Sequence, residues 1–358
     1  MKIKEAIYKI VGGNDLSESE MEGTVLGILS GEATPSQAGA FLSALRIKGE
    51  TVDEITGAAR AIQSRQTPLQ INNHLVNLDR DDINLEAETI QATSENGANG
   101  TATFNVSSAT IFVVAGGGVR VVRQGNWPKY GFIGAADVLQ NLGVKLDISR
   151  SDVQRCIDEV GIGFLFAPML HGIMRHVDEI RVEMGIRTIF NLIGPLANPA
   201  GASAHVLGVY EPSLTEKMAR VLKNLGAKEA FVVFGQDTYD EISICGPTTV
   251  SHLVNGGVES YQLDPREYGF KTSPVETLFG GSAQDNARII KEIMEGSPGP
   301  KRDMVVLNAA AAFVAAGLDG DLKAGIQRAN DVIDSGKARE KLEALVNFTA
   351  NCSYFTRS

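Results

Sequence analysis

Two adjacent carboxylates, Asp240 and Glu241, stand between Gly235-Gln236 and the apolar run 242–244. Neighbouring hard oxygen donors on a loop suit Mg2+, which takes one or two carboxylates beside phosphate oxygens. The plainer alternative is a solvated acidic pair. A second stretch leads from Glu95-Asn96-Gly97-Ala98-Asn99-Gly100 to Asn105-Val106-Ser107-Ser108, ahead of an apolar run over 109–115. Glycine backbone that can approach an anion, followed by a helix N-terminus with outward amides, is phosphate-binding chemistry. A solvated loop ending in an N-cap fits the same letters. A third stretch is Arg123-Gln124-Gly125-Asn126-Trp127-Pro128-Lys129-Tyr130-Gly131, directly after the β-branched run 119–122. A cation, two amides and the only tryptophan at a strand's carboxyl end suit an anionic or aromatic ligand. The alternative is a turn whose Trp127 packs on the core.

Other chemistries find no support. His74, His171, His176, His205 and His252 form no metal spacing, and His171 and His176 are five apart, off a shared helix face. There is no G-x-S-x-G elbow and no Walker motif, and Gly116-Gly117-Gly118 does not complete G-x-G-x-x-G. Cys156, Cys245 and Cys352 are odd in number and widely spaced, so they read as reduced thiols.

These stretches need a scaffold that brings strand ends and helix starts together. Residues 1–66 hold no convincing strand. Ser17 with Glu20 makes an S-x-x-E capping box, Thr34-Pro35 opens a second helix and Thr51-Val52-Asp53-Glu54 a third, with Pro68 closing an all-helical unit. Beyond it, apolar runs at 119–122, 164–167, 206–210, 231–234 and 305–307 alternate with helical stretches at 135–142, 151–160, 213–225, 283–295 and 322–335. Such alternation predicts a largely parallel sheet flanked by helices. Ligands of such sheets bind outside the carboxyl ends of the strands. Residues 170–187 interrupt the pattern with charge-rich, helix-like sequence.

The chain has 358 residues, enough for about two domains. A net charge of −10 argues against a nucleic-acid partner, which needs a surplus of cations. No stretch reaches the roughly 18 apolar residues of a membrane span, and the first nine residues lack a signal-peptide core. A cytoplasmic protein with no membrane partner is the expectation.

From Ser17 to Thr349 the chain resembles the anthranilate phosphoribosyltransferases. The resemblance rests on Ser30-Gly31-Glu32-Ala33-Thr34-Pro35, on Ala44-Leu45-Arg46-Ile47-Lys48-Gly49-Glu50-Thr51 and on Phe104-Asn105-Val106-Ser107. Gly185-Ile186-Arg187-Thr188-Ile189-Phe190-Asn191-Leu192-Ile193-Gly194-Pro195-Leu196-Ala197-Asn198-Pro199 carries it more strongly. Asp240-Glu241-Ile242-Ser243 and Leu307-Asn308-Ala309-Ala310 complete it. It implies a nucleoside phosphorylase/phosphoribosyltransferase-like α/β fold. A small helical domain over 1–68, joined by about 170–187, would accompany an α/β domain over 69–169 and 188–358. It also implies Mg2+, phosphoribosyl pyrophosphate as donor, anthranilate as aromatic acceptor in tryptophan synthesis, and a homodimer formed through the helical domain. Phe41, Leu42, Leu45 and Ile28 are the candidates for that contact. By the same resemblance Asp240 and Glu241 hold the metal. Gly97, Asn105, Ser107, Ser108 and Arg123 face the donor, and Asn126 and Arg181 the acceptor.

The departures fall in the site. The family's G-T-G-G-D phosphate loop reads either Glu95-Asn96-Gly97-Ala98-Asn99 or, in another register, Ala92-Thr93-Ser94-Glu95-Asn96. Its K-H-G-N-R motif reads Arg123-Gln124-Gly125-Asn126-Trp127, and the serine/lysine-rich segment after it reads Pro128-Lys129-Tyr130-Gly131-Phe132-Ile133-Gly134. A Glu95 carboxylate about 5 Å from pyrophosphate would repel it by about 3 kcal/mol. The leading expectation is therefore a divergent enzyme with an altered donor or acceptor. The alternatives are an ordinary anthranilate phosphoribosyltransferase and a non-catalytic ligand-binding dimer on the same scaffold.

Overall fold

The computed structural model describes residues 1–67, 69, 75–80, 103–125, 134–166, 171–196, 200–238 and 240–352. Four helices open the chain: α1 (Ile3–Val11), α2 (Glu18–Leu29), α3 (Pro35–Lys48) and α4 (Val52–Arg65). The last three start where their capping residues require. The Ser17, Thr34 and Thr51 hydroxyls accept the amide three residues on, and Glu20, Gln37 and Glu54 accept the cap amide in return.

Among the described residues the rest is built on seven strands: β1 (Leu75–Arg80), β2 (Arg120–Gly125), β3 (Ile162–Phe166), β4 (Ala204–Gly208), β5 (Glu229–Gly235), β6 (Thr248–Val254) and β7 (Gly257–Leu263). Their spatial order is β3-β2-β1-β4-β5-β6-β7. β3 through β5 in that order run parallel, while β6 and β7 add an antiparallel hairpin at one edge. Asn255 and Gly256 turn the hairpin with φ of 51° and 74°, the left-handed pair a tight two-residue hairpin requires.

Helices α5 (Val106–Gly116), α6 (Ala135–Asn141), α7 (Arg150–Glu159), α8 (His171–Met184), α9 (Ile189–Ile193) and α10 (Leu214–Asn224) connect the strands up to β5. After β7 come α11 (Ala283–Met294), α12 (Pro300–Ala315), α13 (Leu322–Asp334) and α14 (Lys337–Ala350). Successive strand residues point to opposite faces and build cores on both sides of the sheet. Val206, Phe231 and Val233 join Phe112 of α5 and Phe313 of α12 on one side. Leu207, Ala230 and Val232 join Met218 and Leu222 of α10, and Phe41, Leu45 and Ile55 of the opening helices, on the other. The opening helices thus share a core with the sheet. α8 packs on α2 and α3, away from the strands.

Two sequence expectations change. Residues 305–307, read as a strand, lie inside α12, which is buried on every side from Met304 to Ala315. A short apolar run does not separate a buried strand from a buried helix, and here Pro300 at the helix start and the alanines at 309–312 decide for helix. Phe41, Leu42, Leu45 and Ile28, the candidates for a contact between protomers, are all in the interior of the chain's own core. The three cysteines are free thiols, and burial pushes that of Cys156 up to about 12, far from a reactive thiolate.

Candidate active site

Strand order reverses direction at β1: β2 and β3 extend to one side, β4 and β5 to the other. The crevice at such a switch point, beyond the carboxyl ends of β1 and β4, is where an open α/β sheet places its ligand. Two groups of candidate residues meet the sheet at this end.

The first group surrounds the N-terminus of α5. Phe104 donates its amide to the Leu278 carbonyl at 2.7 Å, and the Asn105 amide donates to Asn286 Oδ1 at 2.8 Å. Gly280 lets the chains come this close, since a Cβ there would lie 2.8 Å from Phe104 Cα. Ser108 Oγ donates to Asn105 Oδ1 at 2.6 Å, and Arg123 Nη1 reaches Ser108 Oγ at 2.5 Å and Asn105 Oδ1 at 3.3 Å. Arg123 is 0% exposed, so its charge sits beneath the helix start and orients the asparagine and serine above it. Ser107 Oγ is buried and makes no hydrogen bond within the described protein. A cation below, a buried hydroxyl and helix-terminal amides are groups whose chemistry suits an anion.

The second group holds the carboxylates. Asp240 is half-buried and Glu241 is 3% exposed, with its Oε1 enclosed. Gly208 ends β4, and a Cβ on it would lie 1.9 Å from the Asp240 carbonyl oxygen. Gly235 ends β5, and a Cβ there would lie 2.2 Å from the Glu241 carbonyl oxygen. From α12, Asn308 Oδ1 accepts the Ile242 amide at 3.0 Å, and Asn308 Nδ2 donates to the Ile242 carbonyl at 2.9 Å. Asn286, Asn308 and the two glycines were not singled out as site residues from the sequence. Asn308 does lie in the quoted Leu307-Asn308-Ala309-Ala310, as the one polar side chain between Met304 and Ala315. Asn286 has no sequence signal, being 181 residues from its partner.

Arg181 lies on α8, mostly covered, with Nη1 3.6 Å from Asp178 Oδ1. Six residues on, Arg187 is buried with its guanidinium carbon 3.6 Å from the centre of the Tyr210 ring, whose hydroxyl accepts from Arg46 Nη1 at 3.2 Å. Arg46 belongs to α3 and Tyr210 follows β4, so this stack ties the helical part to the sheet. Gly97 and Asn126 lie outside the described residues, as do Glu95 and the altered segment 126–133. The structure therefore gathers Asn105, Ser108 and Arg123 into one cluster, holds Asp240 and Glu241 on a separate segment, and sets Arg181 on the helical side.

The chain thus joins a helical bundle to a mostly parallel sheet, with a carboxylate pair beside the ends of β4 and β5. Residues 4–65 match the glycosyl transferase family, helical bundle domain, and residues 89–339 match the glycosyl transferase family, a/b domain. Anthranilate phosphoribosyltransferase of Geotalea uraniireducens is 50% identical over 347 residues, covering 97% of this chain and 99% of the relative. That of Geobacter sulfurreducens is 49% identical over the same extent. The crystal structure of the Thermus thermophilus enzyme superimposes with a TM-score of 0.86 at 37% identity, covering 96% of this chain and 99% of that one. The Saccharomyces cerevisiae enzyme in complex with PRPP and Mg gives 0.81 at 26% identity, covering 97% and 98%. The chain belongs to the anthranilate phosphoribosyltransferase family and is an enzyme of the glycosyltransferase class. Among the described residues no helix is long and apolar enough to cross a membrane.

Proposed function

We propose that the protein is an ordinary anthranilate phosphoribosyltransferase, using phosphoribosyl pyrophosphate, anthranilate and Mg2+. The observation that carries this reading is near-half identity to enzymes of that name along 97% of the chain. The expectation of an altered donor or acceptor gains nothing from these comparisons. In the reaction the anthranilate amine bonds to C1 of the ribose, the C1–oxygen bond to pyrophosphate breaks, and the amine nitrogen gives up a proton. Little covalent chemistry falls to the protein, so positioning and electrostatics dominate.

The α5 N-terminus and the Ser107 hydroxyl bind phosphate oxygens, with Asn105 and Ser108 oriented by the buried Arg123. Arg181 offers two parallel N–H donors to the acceptor's carboxylate. Asp240 and Glu241 fit Mg2+: two hard carboxylates, one of them enclosed, suit an ion that shares its remaining positions with phosphate. When bound, the metal supplies positive charge to the departing pyrophosphate. The chain divides into the helical unit 1–68 with 170–187, and the α/β unit 69–169 with 188–358.

Loss of anthranilate fluorescence on adding phosphoribosyl pyrophosphate and Mg2+ tests the activity. Arg181→Ala should then raise the KM for anthranilate at least tenfold and leave the KM for the donor unchanged. An unchanged anthranilate KM would remove Arg181 from the acceptor pocket. The replaced phosphate loop around Glu95 favours one second reading, a less highly charged donor. Absence of turnover, with no calorimetric binding of phosphoribosyl pyrophosphate, would favour it.

The enzyme is proposed to be a homodimer. Tyr8 and Val11 on α1 are 86% and 70% exposed, and Ile47 on the neighbouring α3 is 87% exposed. Large apolar side chains this bare mark an interaction face, and a second copy of the chain is the proposed partner. Ile47→Glu combined with Tyr8→Glu should convert a dimer to a monomer in light scattering at micromolar concentration. A wild-type monomer, or a dimer unmoved by the substitutions, would sink this assignment.

A further inference from the structure

We infer that Asn308 is the positioning residue of the metal-holding segment, setting the backbone from which Asp240 and Glu241 project. The inference rests on the reading of those two carboxylates as the Mg2+ pair. Asn308 is 6% exposed, in the middle of a helix whose other side chains from Met304 to Ala315 are apolar. A buried amide is tolerated only where its donors and acceptor are satisfied. Asn308 satisfies them chiefly outside its own helix. Its Oδ1 takes the Ile242 amide at 3.0 Å, and its Nδ2 gives to the Ile242 carbonyl at 2.9 Å. The second Nδ2 hydrogen goes to the Met304 carbonyl at 2.9 Å, which fixes the side chain's own rotamer.

Asn308 thus presents to Ile242 the donor and acceptor pair that a neighbouring strand would offer. Among the described residues the segment is loop on both flanks, so no ladder holds it there. The bare backbone of Gly208 also meets Asp240, and that of Gly235 meets Glu241. Three elements, α12, β4 and β5, therefore enclose the dipeptide. Thr238 adds a long contact from its hydroxyl to the Glu241 carbonyl at 3.5 Å. Holding both main chains leaves the two side chains only their own torsions, which is how a site holds its ligands ready before the ion arrives. Partners that orient metal ligands are commonly worth 10- to 100-fold in metal affinity when lost.

The test uses full-length enzyme and Mn2+, whose free-ion electron paramagnetic resonance signal disappears on binding. Asn308→Ala should weaken Mn2+ binding at least tenfold, raise the metal concentration for half-maximal activity in parallel, and leave the KM for anthranilate within twofold. Gly208→Ala, whose Cβ would press on the Asp240 main chain of the same segment, should weaken Mn2+ binding in the same way. Thr349→Val removes a buried hydrogen-bonding hydroxyl far along the chain, between Lys145 and Leu345. It should leave Mn2+ affinity unchanged and so separates positioning from general loss of stability. Wild-type affinity in Asn308→Ala would overturn the inference while leaving the metal pair standing. Absence of Mn2+ binding by wild type, with or without pyrophosphate, would instead overturn the metal-pair reading and the inference with it. Should Asn308→Ala not fold, hydrogen exchange on the wild type decides. The Ile242 amide must exchange as slowly as the interior amides of α12, and exchange at the rate of an exposed loop would overturn the clamp.

Discussion

Asp240→Ala combined with Glu241→Ala should lower kcat/KM by roughly 10³-fold and abolish the dependence of the remaining rate on Mg2+. Loss of a single well-placed electrostatic group in an active site typically costs about 10²–10³-fold, and here both carboxylates proposed to hold the metal go. The fold should survive. The segment is held by its main chain, through Asn308 to Ile242 and through the glycines at the ends of β4 and β5, none of which needs a carboxylate. Circular dichroism unchanged from wild type would establish that. Steady-state kinetics across a Mg2+ series then reads the effect. A loss below tenfold with metal dependence retained would place the metal elsewhere.

Glu54→Ala should destabilise the protein by about 3 kcal/mol, because removing one partner of a buried ion pair leaves the others unmet. The Glu54 side chain is fully buried in α4 and serves three groups at once: the Leu16 amide at 2.9 Å, the Thr51 amide at 2.8 Å and Lys48 Nζ at 2.9 Å. It therefore joins the linker before α2, the start of α4 and the end of α3. Burial pulls the Lys48 ammonium down, but the hydrogen bonds it donates to Asp15 and Glu54 outweigh this and leave it above its ordinary value. An upward shift in a base stabilises the fold below its unfolded pKa of 10.5 and is lost only as pH climbs through the raised value. A urea titration at pH 8 thus sees the full contribution. Glu54→Gln, which keeps an acceptor for the amides, should lose less. A change under about 1 kcal/mol for Glu54→Ala would show that water replaces the carboxylate.

Local chemistry made some of this legible beforehand. The helix starts at Ser17, Thr34 and Thr51 follow from capping residues whose partners lie three positions away, so the sequence window contains the whole interaction. The alternation of runs anticipates the parallel sheet for the same reason. β1 and the β6–β7 hairpin escaped, although Asn255-Gly256 between β-branched runs is a hairpin turn signal that was there to be read. The site was legible as residue types and not as geometry. Arg123 reads as a donor ligand in sequence, and only the fold shows that it is fully buried with Nη1 bonded to Asn105 and Ser108. Asn286 and Asn308 act across 181 and 66 residues, and no local window contains such a contact. The outward face of the opening helices shows the same limit. Phe41 and Ile47 are equally apolar letters, and only packing decides that one is core and the other bare.

The attachment of α8 to α2 and α3 makes the helical part discontinuous in the chain. Its first four helices come before β1 and its fifth comes after β3. A chimera made by one crossover between 65 and 75 would take α1–α4 from one parent and α8 from the other. The bundle's interior, where Val177 and Ile180 join the core of Phe41 and Ile28, would then be assembled from two unrelated packing solutions. Exchange of this part between relatives calls for three crossovers, with the second and third on either side of α8. Tyr210 and Arg46 must also stay matched to Arg187. Single-crossover libraries of this family should accordingly be enriched in survivors cut after α8.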